Sequence, residues 1–169
     1  VQLGLDLKGG MHLILEVESD KAVEGSLDRT VEEIKTSARG KSILLAGISR
    51  TDGFGIEVIL AKPHDLEEFN KILDKDYRFL STKGTSEEGG KLIINLSLQT
   101  QEADQIKELA SQQALETIRN RIDQFGVTEP DITRRRNENR IVIQLPGVKD
   151  PRRAIALIGQ TAQLEFRMV

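Results

Sequence analysis

Residues 92–125 read LIINLSLQTQEADQIKELASQQALETIRNRIDQF, and they repeat a pattern that the chain has already used once. The stretch LIINLSL (92–98) has the apolar alternation of a half-buried strand. From about residue 102 the period lengthens. Ala103, Ile106, Ala110, Ala114, Ile118, Ile122 and Phe125 recur at helical spacing along one face, and Gly126 stops the helix. Near the start, Met11, Leu13, Leu15 and Val17 alternate with His12, Glu16 and Glu18. Asp20 is then placed to cap a helix whose inward face is Val23, Leu27, Val31, Ile34 and Ala38, with Gly40 at its end.

The elements after each strand–helix pair match as well. Behind the first pair come ILLAGISR (43–50), the turn Thr51-Asp52-Gly53 and GIEVIL (55–60), which together predict a hairpin. Pro63 breaks the chain. Asp65 with Glu68 resembles a capping box before a short helix on Leu66, Phe69, Ile72 and Leu73, and YRFLS (77–81) closes the unit as a strand. The polar stretch TKGTSEEGG (82–90) reads as a loop. Behind the second pair come PDITRRR (130–136) and RIVIQL (140–145), then Pro146, an Asp150 cap, Pro151 in the first helical position, and AQLEFRMV (162–169) as a last strand. Corresponding elements recur about 81 to 85 residues apart. The order β-α-β-β-α-β, twice, predicts an α+β protein of two tandem ferredoxin-like units, with antiparallel or mixed sheets and helices on one face. The expected halves are 1–83 and 84–169. The spacing leaves open whether their sheets fuse.

Composition narrows the classes. The chain has 169 residues, 38% hydrophobic and 30% charged, which suits a folded domain. A net charge of −3 argues against a dedicated nucleic-acid binder. Cysteine is absent, so disulfides and thiolate chemistry are excluded while no compartment is indicated. The apolar run Ile43 to Ile48 is far shorter than the ~20 residues that span a bilayer. The chain begins at Val1 and stops at Val169 inside an expected strand, so we expect it to be a piece of something longer.

The motifs that imitate chemistry do not complete it. In LDLKGG (5–10) the glycine pair precedes a strand, whereas a phosphate loop opens a helix; Gly9-Gly10 is expected to permit a bend or close approach instead. GTSEEGGK (84–91) departs from the P-loop pattern by an extra glycine, by Leu92 where Ser or Thr would hold magnesium, and by two repelling glutamates. His12 and His64 lack ligand spacing, and the serines lack a nucleophile context. No catalytic residue, cofactor or metal is expected. Arg134, Arg135 and Arg136 form a basic run, but RNA-recognition sheets stack bases on aromatics, and aromatics are 4% of this chain. The arginines are expected to be a solvated hairpin face or a patch against an acidic partner. A small-molecule regulatory module of the same topology is the rival reading.

Four stretches carry a specific resemblance: LGLDLKGGMHLILEV (3–17), IRNRIDQFGVTEP (118–130), RIVIQLPGV (140–148) and TAQLEFRMV (161–169). In this order they resemble the first periplasmic region of the SecD family, membrane subunits of bacterial protein export related to the resistance-nodulation-division transporters. Lys8 departs from the arginine frequent there and lacks its bidentate fork. The resemblance implies a rigid base on the periplasmic side of the inner membrane, a mobile head inserted after Arg167, Met168 and Val169, and membrane helices outside this chain. It implies SecF, the SecYEG translocon and the translocating preprotein as partners, in export assisted by the proton-motive force. It marks Asp6, Gly9, Gly10, Arg119, Arg121, Asp123, Gly126, Pro146 and Gly147 as structural or partner-contact positions. By residue type, Gly126 and Pro146-Gly147 are expected to shape turns, and Arg119, Arg121 and Asp123 to lie on the polar face of the long helix.

Overall fold

The computed structural model describes residues 10–127, 129–135, 139–148, 150–158 and 164–168. In chain order these form β1 (Met11–Val17), α1 (Ser19–Gly40), β2 (Leu45–Thr51), β3 (Gly55–Leu60), a 3₁₀ turn (Pro63–Asp65) and α2 (Leu66–Asp76). Then come β4 (Leu80–Glu88), β5 (Lys91–Leu98), α3 (Thr100–Phe125), β6 (Asp131–Arg135), β7 (Arg140–Leu145), α4 (Pro151–Ile158) and β8 (Leu164–Met168). The α+β class holds. Two separate four-stranded sheets, β6-β7-β1-β8 and β2-β3-β5-β4, are antiparallel at every pairing.

The packed units do not follow the expected halves 1–83 and 84–169. One unit gathers residues up to Ala22 with those from Lys107 onward; the other is the continuous stretch Val23–Ile106. The first strands of the two repeats have exchanged sheets: β1 lies between β7 and β8, and β5 between β3 and β4. Each sheet keeps the ferredoxin-like strand order, with its leading strand supplied by the other repeat. The cause is the segment expected as a loop. Residues 82–88 continue β4, and Gly89 (φ +59°) with Gly90 (φ +77°) turns it straight into β5, with Glu88 opposite Lys91. Two consecutive positive φ values make a two-residue hairpin turn whose twist suits the strands. So short a closure costs little entropy, and it takes β5 into the sheet of β4. β1, an equally apolar alternating strand, fills the matching central place beside β7.

Each unit has its own core. In the continuous unit, Ile56, Val58 and Leu60 of β3 and Ile94 and Leu96 of β5 pack with Leu27 and Ile34 of α1 and Phe69 of α2. In the other, Leu13 and Leu15 of β1 and Ile141 and Ile143 of β7 pack with Ile118 and Ile122 of α3 and Ala154 of α4. Burying one such leucine or isoleucine contributes about 1.5–3 kcal/mol. Alternate residues on the strands, such as His12, Ile14 and Asn95, are at least partly exposed, which fits helices over one face of each sheet.

Two helix starts differ from expectation. α1 begins at Ser19, so Asp20 lies in its first turn, where its Oδ1 is 3.2 Å from Lys107 Nζ. Asp65 is the N-cap of α2 but makes no capping hydrogen bond with its side chain, and Glu68 pairs with Lys71 instead. α1 ends at Gly40, as expected, and the positive φ that turns the chain beyond it belongs to Ser42. Asp150 does cap α4: its Oδ1 accepts from the Arg152 amide at 3.1 Å.

Candidate functional site: a groove at the end of the long helix

α3 ends at Phe125 because Gly126 adopts φ +75°, and the Gly126 amide donates to the Asp123 carbonyl at 3.1 Å. Across from it, β7 ends at Leu145, and Gly147 (φ +80°) after Pro146 supplies the turn that leads into α4. These two chain reversals border an open groove of about 510 Å³, lined by Phe125, Val127, Pro146, Val148, Asp150 and Arg153 together with the two glycines. The Arg153 guanidinium carbon lies 5.1 Å from the centroid of the Phe125 ring, a cation–π contact that links α4 to the end of α3. A second tie runs from Arg121 Nη1, which donates to the Ile158 carbonyl at 3.3 Å. The groove therefore offers apolar walls with one acid and one arginine at its border. Among the described residues the lining contains no imidazole and no hydroxyl side chain.

Of the positions singled out in the sequence, Gly126, Pro146 and Gly147 come together in this groove, and Arg121 braces it. Asp123 contributes its carbonyl while its side chain is exposed, and Arg119 is exposed on α3. Gly10 sits half-buried immediately ahead of β1. Arg167 and Met168 lie in β8, opposite Ile14 and Leu13. Asp6, Gly9 and Val169 lie outside the described residues. His12 is on β1, and His64 is in the 3₁₀ turn beside Asp65. Among the described residues no group of three His, Cys, Asp or Glu side chains could hold a metal ion, and no helix is long and apolar enough to cross a membrane.

The arginine run needs a correction. Arg134 is not solvated: it shares strand parity with Ile132, its side chain is 12% exposed, and its Nη2 pairs with Glu108 Oε2 on α3. Its acidic partner is in its own chain. Arg135, one residue on, is exposed, and Arg136 lies outside the described residues. Sequence reasoning also missed Arg153 as a groove residue. Its spacing on α4 carries no signal, because the Phe125 ring that it covers belongs to another element.

The family model described as the N-terminal part of the P1 domain of protein translocase subunit SecDF matches residues 111–169, a stretch that contains the whole groove. Over its full length the chain is similar to protein translocase subunit SecD of Syntrophobacter fumaroxidans, with 44% identity over 170 residues, covering 100% of this chain and 32% of the relative. SecD of Pseudomonas aeruginosa is 34% identical over 168 residues, covering 99% of this chain and 27% of the relative. SecD of Escherichia coli K12 is 30% identical over 171 residues, covering 100% and 27%. The chain thus spans about a third or less of the length of these curated relatives. With a P1-domain match in its C-terminal part and similarity to SecD subunits from end to end, the chain belongs to the SecD family of protein translocase subunits.

Proposed function

We propose that this chain is the stiff, non-catalytic base of a SecD-like subunit on the periplasmic side of the inner membrane. In this reading it takes part in proton-motive-force-assisted export of preproteins together with SecF and the SecYEG translocon. It handles no energy itself. It transmits displacement from the membrane part to a head joined at Arg167, Met168 and Val169, and it offers docking surface.

The observation that carries the reading is the pairing of β1 with β8. Leu13 stands opposite Met168 in an antiparallel ladder, so the first and last described strands neighbour each other at one end of one sheet. A displacement arriving through one strand is borne by the ladder that the other continues. The similarity to proteins named as translocase subunits supports the export context.

Stiffness is testable with a lock. Ile14 and Val142 are opposed on β1 and β7, half-exposed on the face away from the core, and opposed antiparallel residues lie within disulfide reach. Ile14→Cys with Val142→Cys, placed in the full-length protein in proteoliposomes, should export preprotein equally fast oxidised and reduced. Arrest of export on oxidation would mean that the base itself deforms, and the reading would fall.

A further inference from the structure

The two edges of the sheet β2-β3-β5-β4 are built on opposite plans. β4 shows solvent Lys83, Glu87 and Glu88 among small polar residues, and a register shift falls between Thr82 and Gly84. Exposed charge of this kind discourages another strand from adding to an edge. β2, LAGISRT, has one charged residue, Arg50, and α1 holds it: Arg50 Nε is 2.9 Å from Asp28 Oδ1, and Glu24 stands 3.7 Å from Nη1. These carboxylates raise the Arg50 pKa, the hydrogen bond to Asp28 being the larger cause, so its charge is held by its own unit. The rest of β2 is small or apolar, with its register shift confined to Leu45/Gly47. Among the described residues no strand pairs with its outer side.

Beside this edge, the end of α1 and the start of β2 border an open groove of about 430 Å³, lined by Lys35, Arg39, Ile43, Leu44, Leu45 and Ile48. Leu44 is 62% exposed. Lys35 is paired with Glu32 at 2.9 Å, but Arg39 is exposed and makes no ion pair among the described residues. A bare strand edge, an apolar trough and an unspent cation therefore stand side by side.

We propose that the outer edge of β2 docks an extended polypeptide segment by strand addition, with an apolar side chain on Leu44 and an acidic one toward Arg39. Main-chain hydrogen bonds supply the affinity in this mode, and pockets for alternate side chains supply the selectivity. Backbone pairing reads little sequence, which suits a client whose sequence varies. The occupant is accordingly a stretch of the exported chain, an identification that rests on the translocation reading above.

The probe is a fluorescein-labelled octapeptide of alternating valine and threonine with one glutamate. Its fluorescence anisotropy should rise saturably on titration with this chain. N-methylation of alternate amides on one edge of the peptide should weaken binding at least about tenfold. Arg39→Glu should reverse the preference between the glutamate peptide and a lysine version. No binding, or binding indifferent to N-methylation, overturns the proposal. So does a dimer of this chain that Leu44→Lys dissolves while the peptide stays unbound, since the edge then serves a second copy.

A photoreactive residue at Leu44 in the full-length protein, presented with a stalled export substrate, separates the two readings. Peptide binding without substrate crosslinking upholds the docking edge and removes the export context. Crosslinking elsewhere without peptide binding does the reverse.

Discussion

Ser42 performs the turn that glycine performs most cheaply. The Ile43 amide donates to the Ala38 carbonyl at 2.9 Å and the Ser42 amide to the Arg39 carbonyl at 3.1 Å, while Ser42 has φ +57°. This is a Schellman ending, sealed by Ile43 and Ala38 in one core. The helix ends at Gly40, as its sequence indicates, and the left-handed residue that reverses the chain stands two positions later. Ser42→Gly should therefore raise stability by up to about 1 kcal/mol, since a non-glycine residue is strained there. Ser42→Val should lower it by about 1–2 kcal/mol; the midpoint of urea denaturation reads both. Gly55 presents the opposite case. A Cβ there would lie 2.3 Å from Thr51 Oγ1 and 3.1 Å from the Leu96 carbonyl. Gly55→Ala should cost about 1–3 kcal/mol. Adding Thr51→Ala should recover part of that loss, because one obstruction is a side chain and the other is backbone. The hairpin around Gly55 was legible from its pattern; this steric demand was not, because it depends on which residues of β2 and β5 stand alongside.

At the scale of elements, apolar periodicity located nearly every strand and helix, and it failed where the pattern is polar. β4 was expected to end near residue 81 because Thr82 to Glu88 bury almost nothing, and an edge strand has no need to. Arg134 was misplaced for the converse reason. Its parity puts it among core positions, yet its charge reads as solvent until α3 supplies Glu108. Glu108→Ala leaves a mostly buried guanidinium with a lost partner and should cost about 1–2 kcal/mol, less than a fully buried pair because Glu108 is itself 42% exposed. Glu108→Ala with Arg134→Met should be more stable than the single variant, a comparison that thermal melts can make. In α2, the hydrogen bond from Lys71 and its charge lower the Glu68 pKa below the usual glutamate value. A lowered folded-state pKa means stability present above the unfolded value and lost as pH falls through the folded one. Glu68→Gln should flatten that acid limb slightly at low ionic strength. In high salt wild type and variant should coincide, since both side chains are solvent-exposed.

At the scale of the whole molecule, the duplication was legible and the exchange of strands was not, for one physical reason. Two alternating apolar strands, β1 and β5, satisfy the same central position equally well, so pattern alone assigns each to the repeat in which it stands. What decides is connection length. Gly89-Gly90 closes β4 onto β5 at once, whereas β1 lies far along the chain from the strands beside it, β7 and β8. The candidate groove shared this fate in part. Its glycines and proline announced turns, but their meeting with Phe125 and Arg153 follows from the packing of α3 and α4. The exchange makes a prediction about fragments that the sequence halves contradict. Residues 19–106 hold α1, β2, β3, α2, β4 and β5, a complete sheet with its helices and its own core. That fragment should fold alone and melt cooperatively, with dispersed amide resonances. Residues 1–83 lack β5, so the inner edges of β3 and β4 have no partner, and β1 has neither β7 nor β8. That fragment should be unfolded or aggregated at the same concentration. If instead 1–83 folds cooperatively and 19–106 does not, β1 has taken the place of β5 and the strand order described here is wrong.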